Sequence, residues 1–290
     1  MRFGLHALGI GTGAQPAVIR AVSTAAEETG FATLWSGEHV VMVDRPASRY
    51  PYSDDGQIAV PADADWLDPL LSLSYAAAVT TRIGLATGIL LLPEHNPVLA
   101  AKQIATLDVL SQGRLTLGVG IGWSAEEFAA LGIPFARRAQ RTAEYVAAMR
   151  QLWSADAASF SGEFTEFDRV RVYPKPVRNR RVPVVFGGNS DAALRRVAAI
   201  GDGWYGFSLA ADQVAERVGQ LARHCGERGR SVSDLTVAVA LTDGRPGMLA
   251  GLTQLGLTEL VLVGAPPAAP AAAAAWVAQL ADEWGVRSSR

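Results

Sequence analysis

The sequence has little cysteine, no excess of either charge and no long apolar run. Its 290 residues include one cysteine, Cys225, which excludes an intramolecular disulfide framework and a thiolate-rich metal site. Lys and Arg number 26 against 28 Asp and Glu, so there is no overall basic field for nucleic acid or an anionic membrane. We therefore expect a cytoplasmic protein whose partners are neither nucleic acid nor membrane.

Several catalytic signatures are also missing. The chain has no HExxH, no GxSxG, no Walker loop and no clustered carboxylate set. Metalloprotease, serine hydrolase and nucleotide hydrolase functions therefore have no support, and we expect no metal site. The most apolar segments, IGLATGILLLP and AAPAAAAAWVAQLA, contain Gly or Pro and are too short to span a bilayer.

The composition that remains is typical of a protein with a large core, because 49% of residues are hydrophobic and 19% are charged. Short apolar runs alternate with longer helical patterns, which predicts parallel β–α units. The predicted strands are Arg2–Ala7, Thr33–Trp35, Arg82–Thr87, Leu115–Val119, Val182–Phe186, Gly203–Tyr205, Leu235–Ala240 and Glu259–Val263. The predicted helices are Pro16–Thr29, Leu67–Val79, Pro97–Leu110, Thr142–Trp153, Asp191–Ile200, Asp212–Arg228, Gly247–Leu255 and Ala271–Trp284.

Eight such units predict an α/β fold, a (β/α)8 TIM barrel in which residues 1–290 form a single domain. Gly30 and Gly201 follow predicted helices, at positions where left-handed caps are common. Two segments are additional to the strands and helices of a plain barrel. A loop from about His39 to Asp65 follows the second strand, and a hairpin around Gly162 precedes the fifth.

Barrel enzymes place their chemistry at the carboxyl ends of strands. His39 follows the second predicted strand, where an imidazole either exchanges a proton with a ligand or pairs with a neighbouring loop residue. Gly88 ends the third strand, which indicates a bulge, a close backbone approach or an ordinary strand end.

Two further strand ends are rich in glycine. The stretch Gly118-Val119-Gly120 lacks the spacing of a dinucleotide fingerprint and is a weak signal by itself. Gly187-Gly188-Asn189-Ser190 opens a helix, and backbone N–H groups at a helix start can bind a phosphate. Simple capping of that helix by Asn189 or Ser190 explains the same residues equally well.

Taken together, three stretches resemble the luciferase-like monooxygenase superfamily, in particular its branch that depends on the deazaflavin coenzyme F420. They are LWSGEH, RIGLATGILLLPEHNPVLAAKQIATLDVLSQGRLTLGVGIGW, and SGEFTEF followed by PKP and VPVVFGGNSDAALRRVAAIGDGW. Each motif is modest, but their order and spacing extend over nearly the whole chain. The family fold is a (β/α)8 barrel, which agrees with the element order. Members of the family are commonly homodimeric.

The resemblance implies roles for particular residues. It places the phosphate of a flavin-like tricycle near Gly187, Gly188, Asn189 and Ser190, the tricycle along Gly118, Val119 and Gly120, and a cis peptide bond at Gly88–Ile89 behind the central ring. His39 would contact the cofactor and act on the substrate by hydrogen bonding or proton donation. We expect Trp35, Tyr50, Tyr52 and Trp123 to line a substrate pocket, although Trp123 could instead only pack. A glutamate typical of the sugar-phosphate dehydrogenases is replaced here by Trp123, which argues against that substrate class.

The function expected from this resemblance is hydride transfer between F420 and a small organic substrate. An FMN-dependent monooxygenase on the same fold is the main alternative, because both cofactors are phosphorylated tricycles. A third possibility is a binding protein that holds such a cofactor without catalysing a reaction.

Overall fold

The structure is a computed structural model that describes residues 1–287. The described residues form ten strands: β1 Arg2–Leu8, β2 Thr33–Ser36, β3 Gly84–Thr87, β4 Leu115–Val119, β5 Ala158–Ser161, β6 Glu166–Val170, β7 Val184–Gly187, β8 Gly203–Leu209, β9 Thr236–Leu241 and β10 Glu259–Val263. Eight of them close into a parallel barrel in the order β1-β10-β9-β8-β7-β4-β3-β2. The predicted (β/α)8 barrel is confirmed.

Helices cover the outside of the barrel. Their bounds are α1 Pro16–Thr29, α2 Pro69–Val79, α3 Pro97–Leu110, α4 Ala125–Ala130, α5 Arg138–Ser154, α6 Asp191–Ile200, α7 Ala211–Gly226, α8 Leu249–Gln254 and α9 Pro270–Trp284. Asp68 and Asn96 cap α2 and α3 through their side-chain oxygens, and a proline follows each cap. These starts agree with the rule that proline suits the first helical position.

The barrel interior is filled by side chains from alternate strand positions. Trp35 from β2 stacks on Tyr205 from β8 with ring centroids 4.5 Å apart. Below them, the buried carboxylate of Glu259 accepts hydrogen bonds from the Trp35 indole, at 2.8 Å, and from Thr33. The lower half of the barrel is therefore a packed core, which leaves room for a ligand inside the barrel at the strand ends.

Both expected insertions are present. Residues 37–68 connect β2 to α2 and lie over the carboxyl ends of the strands. The antiparallel pair β5–β6 forms the expected hairpin between α5 and β7 and stays outside the barrel, so that β4 pairs directly with β7. The loop therefore contributes to the barrel mouth.

Two details differ from the sequence-based expectation. Gly201 was expected in a left-handed cap, but its φ is −83°, so that prediction is wrong. A Cβ at Gly201 would lie 2.9 Å from the carbonyl oxygen of Val197, which means that close packing requires the glycine. Gly30 does adopt the left-handed conformation, with φ of 98°. The short helix α4 was not predicted, and it carries Glu127 into the site described next.

Candidate active site

A cavity of about 480 Å³ opens at the carboxyl ends of the barrel strands, beneath the loop that follows β2. We call it the barrel-mouth cavity. Aromatic rings form much of its wall: Tyr50, Tyr52, Trp66, Trp123, Tyr205 and Phe207. Neither lysine nor arginine from the described residues 1–287 lines it. This lining suits the flat, apolar part of a ligand.

A second depression of about 510 Å³ lies against the outer face of α5, away from the strand ends. Two of its arginines, Arg150 and Arg181, are paired with the carboxylate of Asp202. Since these cations already have a partner and no strand end reaches the depression, we place the active site at the barrel mouth.

His39 and Glu127 form the principal polar pair of the barrel-mouth cavity. Nδ1 of His39 lies 2.8 Å from a carboxylate oxygen of Glu127, and both side chains are buried. The other oxygen of Glu127 accepts the backbone N–H of Val40, at 2.7 Å, and that of Val41. Glu127 is therefore a buried carboxylate that orients the imidazole and holds the start of the loop.

The neighbouring Trp123 fixes the position of the proton on His39. Its indole N–H lies 3.4 Å from Nε2 of His39, and an indole nitrogen can only donate. Nε2 must therefore accept and be unprotonated, which leaves the ring proton on Nδ1, directed at Glu127. This arrangement presents Nε2 of His39 as a proton acceptor at the edge of the cavity.

A second carboxylate–histidine pair lies behind the first. Glu38 accepts from the backbone N–H of Leu91 at 2.5 Å and lies 3.0 Å from Nε2 of His95. Burial opposes protonation of His95, but the hydrogen bond and the charge of Glu38 outweigh it, so the pKa of His95 is raised. Glu38 thus links the end of β2 to the segment after β3.

Glu94 is a third buried glutamate in this region, and it has no histidine partner among the described residues. It is 93% buried, and neither of its carboxylate oxygens has a hydrogen-bond partner among residues 1–287. Burial, followed by the charges of Glu127 and Glu38, raises the pKa of Glu94 to about 9. Glu94 is therefore a neutral carboxylic acid at pH 7.

The aromatic wall is continuous from His39 to the opposite side of the barrel. Tyr50 packs edge to face against Trp123 and Tyr52, with centroids 5.3 and 5.4 Å apart. Tyr52 in turn packs against Phe207 of β8 at 5.4 Å. Burial raises the pKa of Tyr52 to about 12, so its hydroxyl stays protonated. Tyr50, Tyr52 and Trp123 thus line the barrel-mouth cavity, and their role in binding a substrate stays a prediction.

The helix α4 fastens the loop over the cavity. Glu126 accepts hydrogen bonds from the backbone N–H groups of Ala47 and Ser48, at 2.8 and 3.1 Å. Together with Glu127, it ties two points of the loop to one short helix. Within the loop itself, the indole of Trp66 donates to the carbonyl of Gly37 at 3.1 Å, which joins the two ends of the loop.

The Gly88–Ile89 peptide bond is cis, as the family resemblance implied. The side chain of Ile89 lies against Gly118, Gly120 and Gly187, at the ends of the neighbouring strands. A Cβ at Gly120 would overlap the end of that side chain, and one at Gly118 would overlap the carbonyl of Thr87. The glycines at the end of β4 therefore give room to the end of β3 and the segment that follows it.

This packing changes the interpretation of three predicted residues. Gly118, Val119 and Gly120 are buried and are absent from the wall of the barrel-mouth cavity. Val119 is fully buried in the core outside the barrel. Gly88, Ile89, Gly187 and Gly188 do line the cavity. Trp35 does not: it lies below the cavity, is 2% exposed and supports the floor through Tyr205.

At the start of α6, the side chains of Asn189 and Ser190 already have backbone partners. Asn189 donates to the carbonyl of Phe207 at 2.7 Å, and Ser190 accepts the N–H of Ala193 at 3.2 Å. Gly188 has φ of 108°, which only glycine adopts readily. An anion at this point would depend on backbone N–H groups rather than on these side chains.

Several site residues escaped sequence reasoning. Glu127 lies on an unpredicted helix 88 positions from His39. His6 was not assigned a role from the sequence, and Trp66 and Phe207 gave no signal as single aromatic residues. The Ser124–Glu127 spacing is typical of a helix start and could have indicated α4, although not its contact with His39.

The described residues contain neither a metal-binding cluster nor a membrane-spanning helix. No group of three or more His, Cys, Asp or Glu within residues 1–287 is arranged to hold a metal ion. Over the same residues, none of the helices combines the length and apolar character required to cross a bilayer.

Comparison with known proteins gives the family. A relative of unassigned function from Mycobacterium tuberculosis is 36% identical over 282 residues, which are 97% of this chain and 98% of the relative. The FMNH2-dependent dimethylsulfone monooxygenase of Pseudomonas fluorescens is 37% identical over 146 residues, covering 49% of this chain and 39% of that protein.

Among solved structures, the coenzyme F420-dependent tetrahydromethanopterin reductase of Methanopyrus kandleri superposes with a TM-score of 0.75 at 17% identity, covering 97% of each chain. At that identity the likeness concerns the fold. The sequence profile of the luciferase-like monooxygenases matches residues 1–242, and the chain therefore belongs to the luciferase-like monooxygenase family.

Proposed function

We propose that the protein is an oxidoreductase that transfers a hydride between coenzyme F420 and a small, uncharged, planar organic substrate. The observation that carries this proposal is the His39–Glu127 pair, which places a base at the edge of an aromatic cavity where the barrel strands end. When bound, the deazaflavin supplies or accepts the hydride. The protein supplies position and a proton.

His39 acts on the proton that accompanies the hydride. In the oxidation of an alcohol, Nε2 accepts the hydroxyl proton while the carbon loses a hydride; in the reverse direction, the protonated ring returns that proton to oxygen. Glu127 stabilises the imidazolium because its buried carboxylate lies 2.8 Å from Nδ1. The indole N–H of Trp123 also donates to Nε2, so this contact must break when a substrate hydroxyl binds there.

The residues present fit a phosphorylated tricycle. The aromatic wall and Ile89 suit a flat ring system, and Gly187 and Gly188 at the start of α6 leave backbone close to the cavity. Asp191 does not oppose a phosphate directly, since its carboxylate is paired with His224, at 2.7 Å, and Arg195. These features support the proposed phosphate position at Gly187–Ser190.

An FMN-dependent monooxygenase is the second candidate. The relative from Pseudomonas fluorescens, which covers 49% of this chain, uses FMNH2 by name. The same cavity and helix start suit FMN, whose phosphate and ring system resemble those of F420. The two candidates differ in their reaction with dioxygen, because a deazaflavin reacts slowly with it.

Fluorescence titration with F420 and with FMN, followed by oxygen-uptake measurements, tests this choice. We expect tighter binding of F420 and no substrate-dependent oxygen consumption. Tight FMN binding with substrate-dependent oxygen uptake would replace the first candidate by the second. The His39→Ala variant should bind cofactor as the wild type does and lose turnover. If binding were tight but no turnover could be found in any direction, a non-catalytic binding protein would be supported.

We also propose a homodimer. Leu99 and Leu110 lie on α3, are 57% and 60% exposed, and are 11 residues apart, about three helical turns, so they share one face. Leu71 on the adjacent helix α2 is 71% exposed. A second copy of this chain would cover these leucines.

A further inference from the structure

His6 has a buried ring nitrogen that the proposed reaction does not use. It lies on β1, lines the floor of the barrel-mouth cavity and is 7% exposed. Its Nδ1 lies 3.0 Å from the hydroxyl oxygen of Tyr205 on β8. Its Nε2 is buried and has no hydrogen-bond partner among residues 1–287.

The Tyr205 hydroxyl determines which nitrogen carries the proton. Among the described residues, this hydroxyl contacts no hydrogen-bonding group other than His6. If Nδ1–H donated to it, both the phenolic proton and Nε2 would lack partners. If Tyr205 donates to Nδ1, only the Nε2–H is left without a partner. Since each unpaired buried polar group costs free energy, the second arrangement is favoured.

The charge states of the two groups agree with this arrangement. Burial lowers the pKa of His6 to about 4, so the ring is neutral at pH 7. Burial, with smaller contributions from Glu259, Tyr52 and Tyr50, raises the pKa of Tyr205, so the phenol keeps its proton. His6 is therefore a neutral ring with a proton on Nε2.

The residues beside Nε2 are glycines of the cavity lining. A Cβ placed on Gly37 would lie 3.3 Å from Nε2, and one on Gly88 would lie 3.3 Å from the adjacent ring carbon of His6. Gly37 and Gly88 both line the cavity and contribute no side chain that could cover this edge of the ring. The nearest aromatic ring, that of Phe207, has its centroid 6.1 Å away.

We propose that the Nε2–H of His6 donates a hydrogen bond to a carbonyl-type oxygen of the molecule bound in the barrel-mouth cavity, and that Tyr205 holds the ring in the required tautomer. This inference rests on the proposed use of the cavity as the cofactor and substrate site. Two molecules could supply the oxygen: the dione ring of the cofactor, or a ketone or related carbonyl substrate.

Nitrogen-15 NMR of histidine-labelled protein tests the assignment directly, because the chain has only four histidines. The His6→Gln variant identifies the His6 signals by their loss. At pH 7.5 we expect a protonated Nε2 and an unprotonated Nδ1 at His6. The Tyr205→Phe variant should weaken this preference. His224, paired with Asp191 on the outside of the barrel, is the internal control.

Separate additions of F420, FMN and acetophenone then locate the acceptor. A downfield shift of the His6 Nε2 proton with either cofactor assigns the oxygen to the cofactor, and a shift only with acetophenone assigns it to the substrate. The proposal is overturned if His6 carries its proton on Nδ1, or if the Nε2 proton does not move with any of the three. If neither cofactor binds, the proposed function fails, whereas the tautomer and the ketone addition still decide the role of His6.

Affinity measurements provide a second readout. We expect His6→Leu to weaken binding of the shifting ligand about tenfold, the usual effect of one lost hydrogen bond. His6→Gln keeps an N–H near the position of Nε2 and should lose less. A purely structural role would instead make both variants bind equally well or equally poorly, with no relation to the NMR shift.

Discussion

The carboxylate of Glu127 lies 2.8 Å from Nδ1 of His39, although 88 positions separate the two residues in the sequence. Because this carboxylate accepts the Nδ1 proton of His39 and stabilises the imidazolium, we expect Glu127→Gln to reduce the turnover number by about tenfold to a hundredfold with little change in cofactor affinity. Steady-state kinetics and fluorescence titration measure the two quantities. Glu283→Gln, at an exposed position of α9 away from the cavity, is the control. Equal turnover in wild type and Glu127→Gln would contradict the proposed role.

Gly188 provides a test of the phosphate position. Its φ of 108° disfavours any side chain, and the residue lies at the cavity beside the start of α6. We expect Gly188→Val to weaken cofactor binding at least tenfold, because the side chain blocks the approach of the phosphate. Gly132→Ala is the control, since Gly132 also has positive φ and has no atoms within 4 Å of its Cβ position. It should lose stability without losing affinity, and similar affinity losses in both variants would contradict the assignment.

The packing of Ile89 against Gly120 can be tested by mutual rescue. A Cβ on Gly120 would overlap the tip of the Ile89 side chain, so Gly120→Ala should cost about 1–3 kcal/mol of unfolding free energy. Ile89→Val removes the overlapping carbon, and the double variant should regain a large part of that loss. Denaturant unfolding of both single variants and the double variant gives the coupling energy. Gly226→Ala, with no atoms nearby, should be almost neutral. Strict additivity would rule out this contact.

The raised pKa of Glu94 predicts that the stability of the folded protein falls as pH rises. Its pKa is about 9 in the folded protein, raised from 4.5. Between these values the folded state holds a proton that the unfolded chain has released, so stability falls as pH rises. One proton contributes about 1.4 kcal/mol per pH unit at most. Urea unfolding from pH 5.5 to 8.5 should therefore show a flatter profile for Glu94→Gln than for the wild type. The exposed Glu283→Gln variant is the control, and parallel profiles for all three proteins would contradict the prediction.

The exposed leucines of α3 test the proposed homodimer. If a second copy covers Leu99 and Leu110, the double substitution Leu99→Glu and Leu110→Glu buries charge at the interface and should produce monomers. Sedimentation equilibrium measures the mass, and circular dichroism shows whether the fold is kept. Ala272→Glu, at an exposed position of α9, should leave the mass unchanged. A wild-type monomer at micromolar concentration would refute the dimer.

The alternation of strands and helices could be predicted from sequence because it depends on local patterns. Apolar runs of strand length, prolines at helix starts and Gly30 as a left-handed cap each depend on a few neighbouring residues. The insertions were predictable for the same reason, since loop composition and a hairpin turn are local. Gly201 shows the limit of this reasoning: it follows a helix as a cap does, but close packing on Val197 rather than a left-handed turn requires the glycine.

The sequence by itself determined the barrel, its family and the position of His39 at a strand end, because hydrophobic periodicity and the order of motifs depend on the sequence alone. Only the tertiary structure decided how the polar groups are paired. Glu127 reaches His39, Tyr205 reaches His6, and Ile89 occupies the space left by Gly120, although each pair is far apart in sequence. Closure of the barrel brings these strand ends together, and burial then gives Glu94 and His6 proton affinities that no sequence pattern reveals.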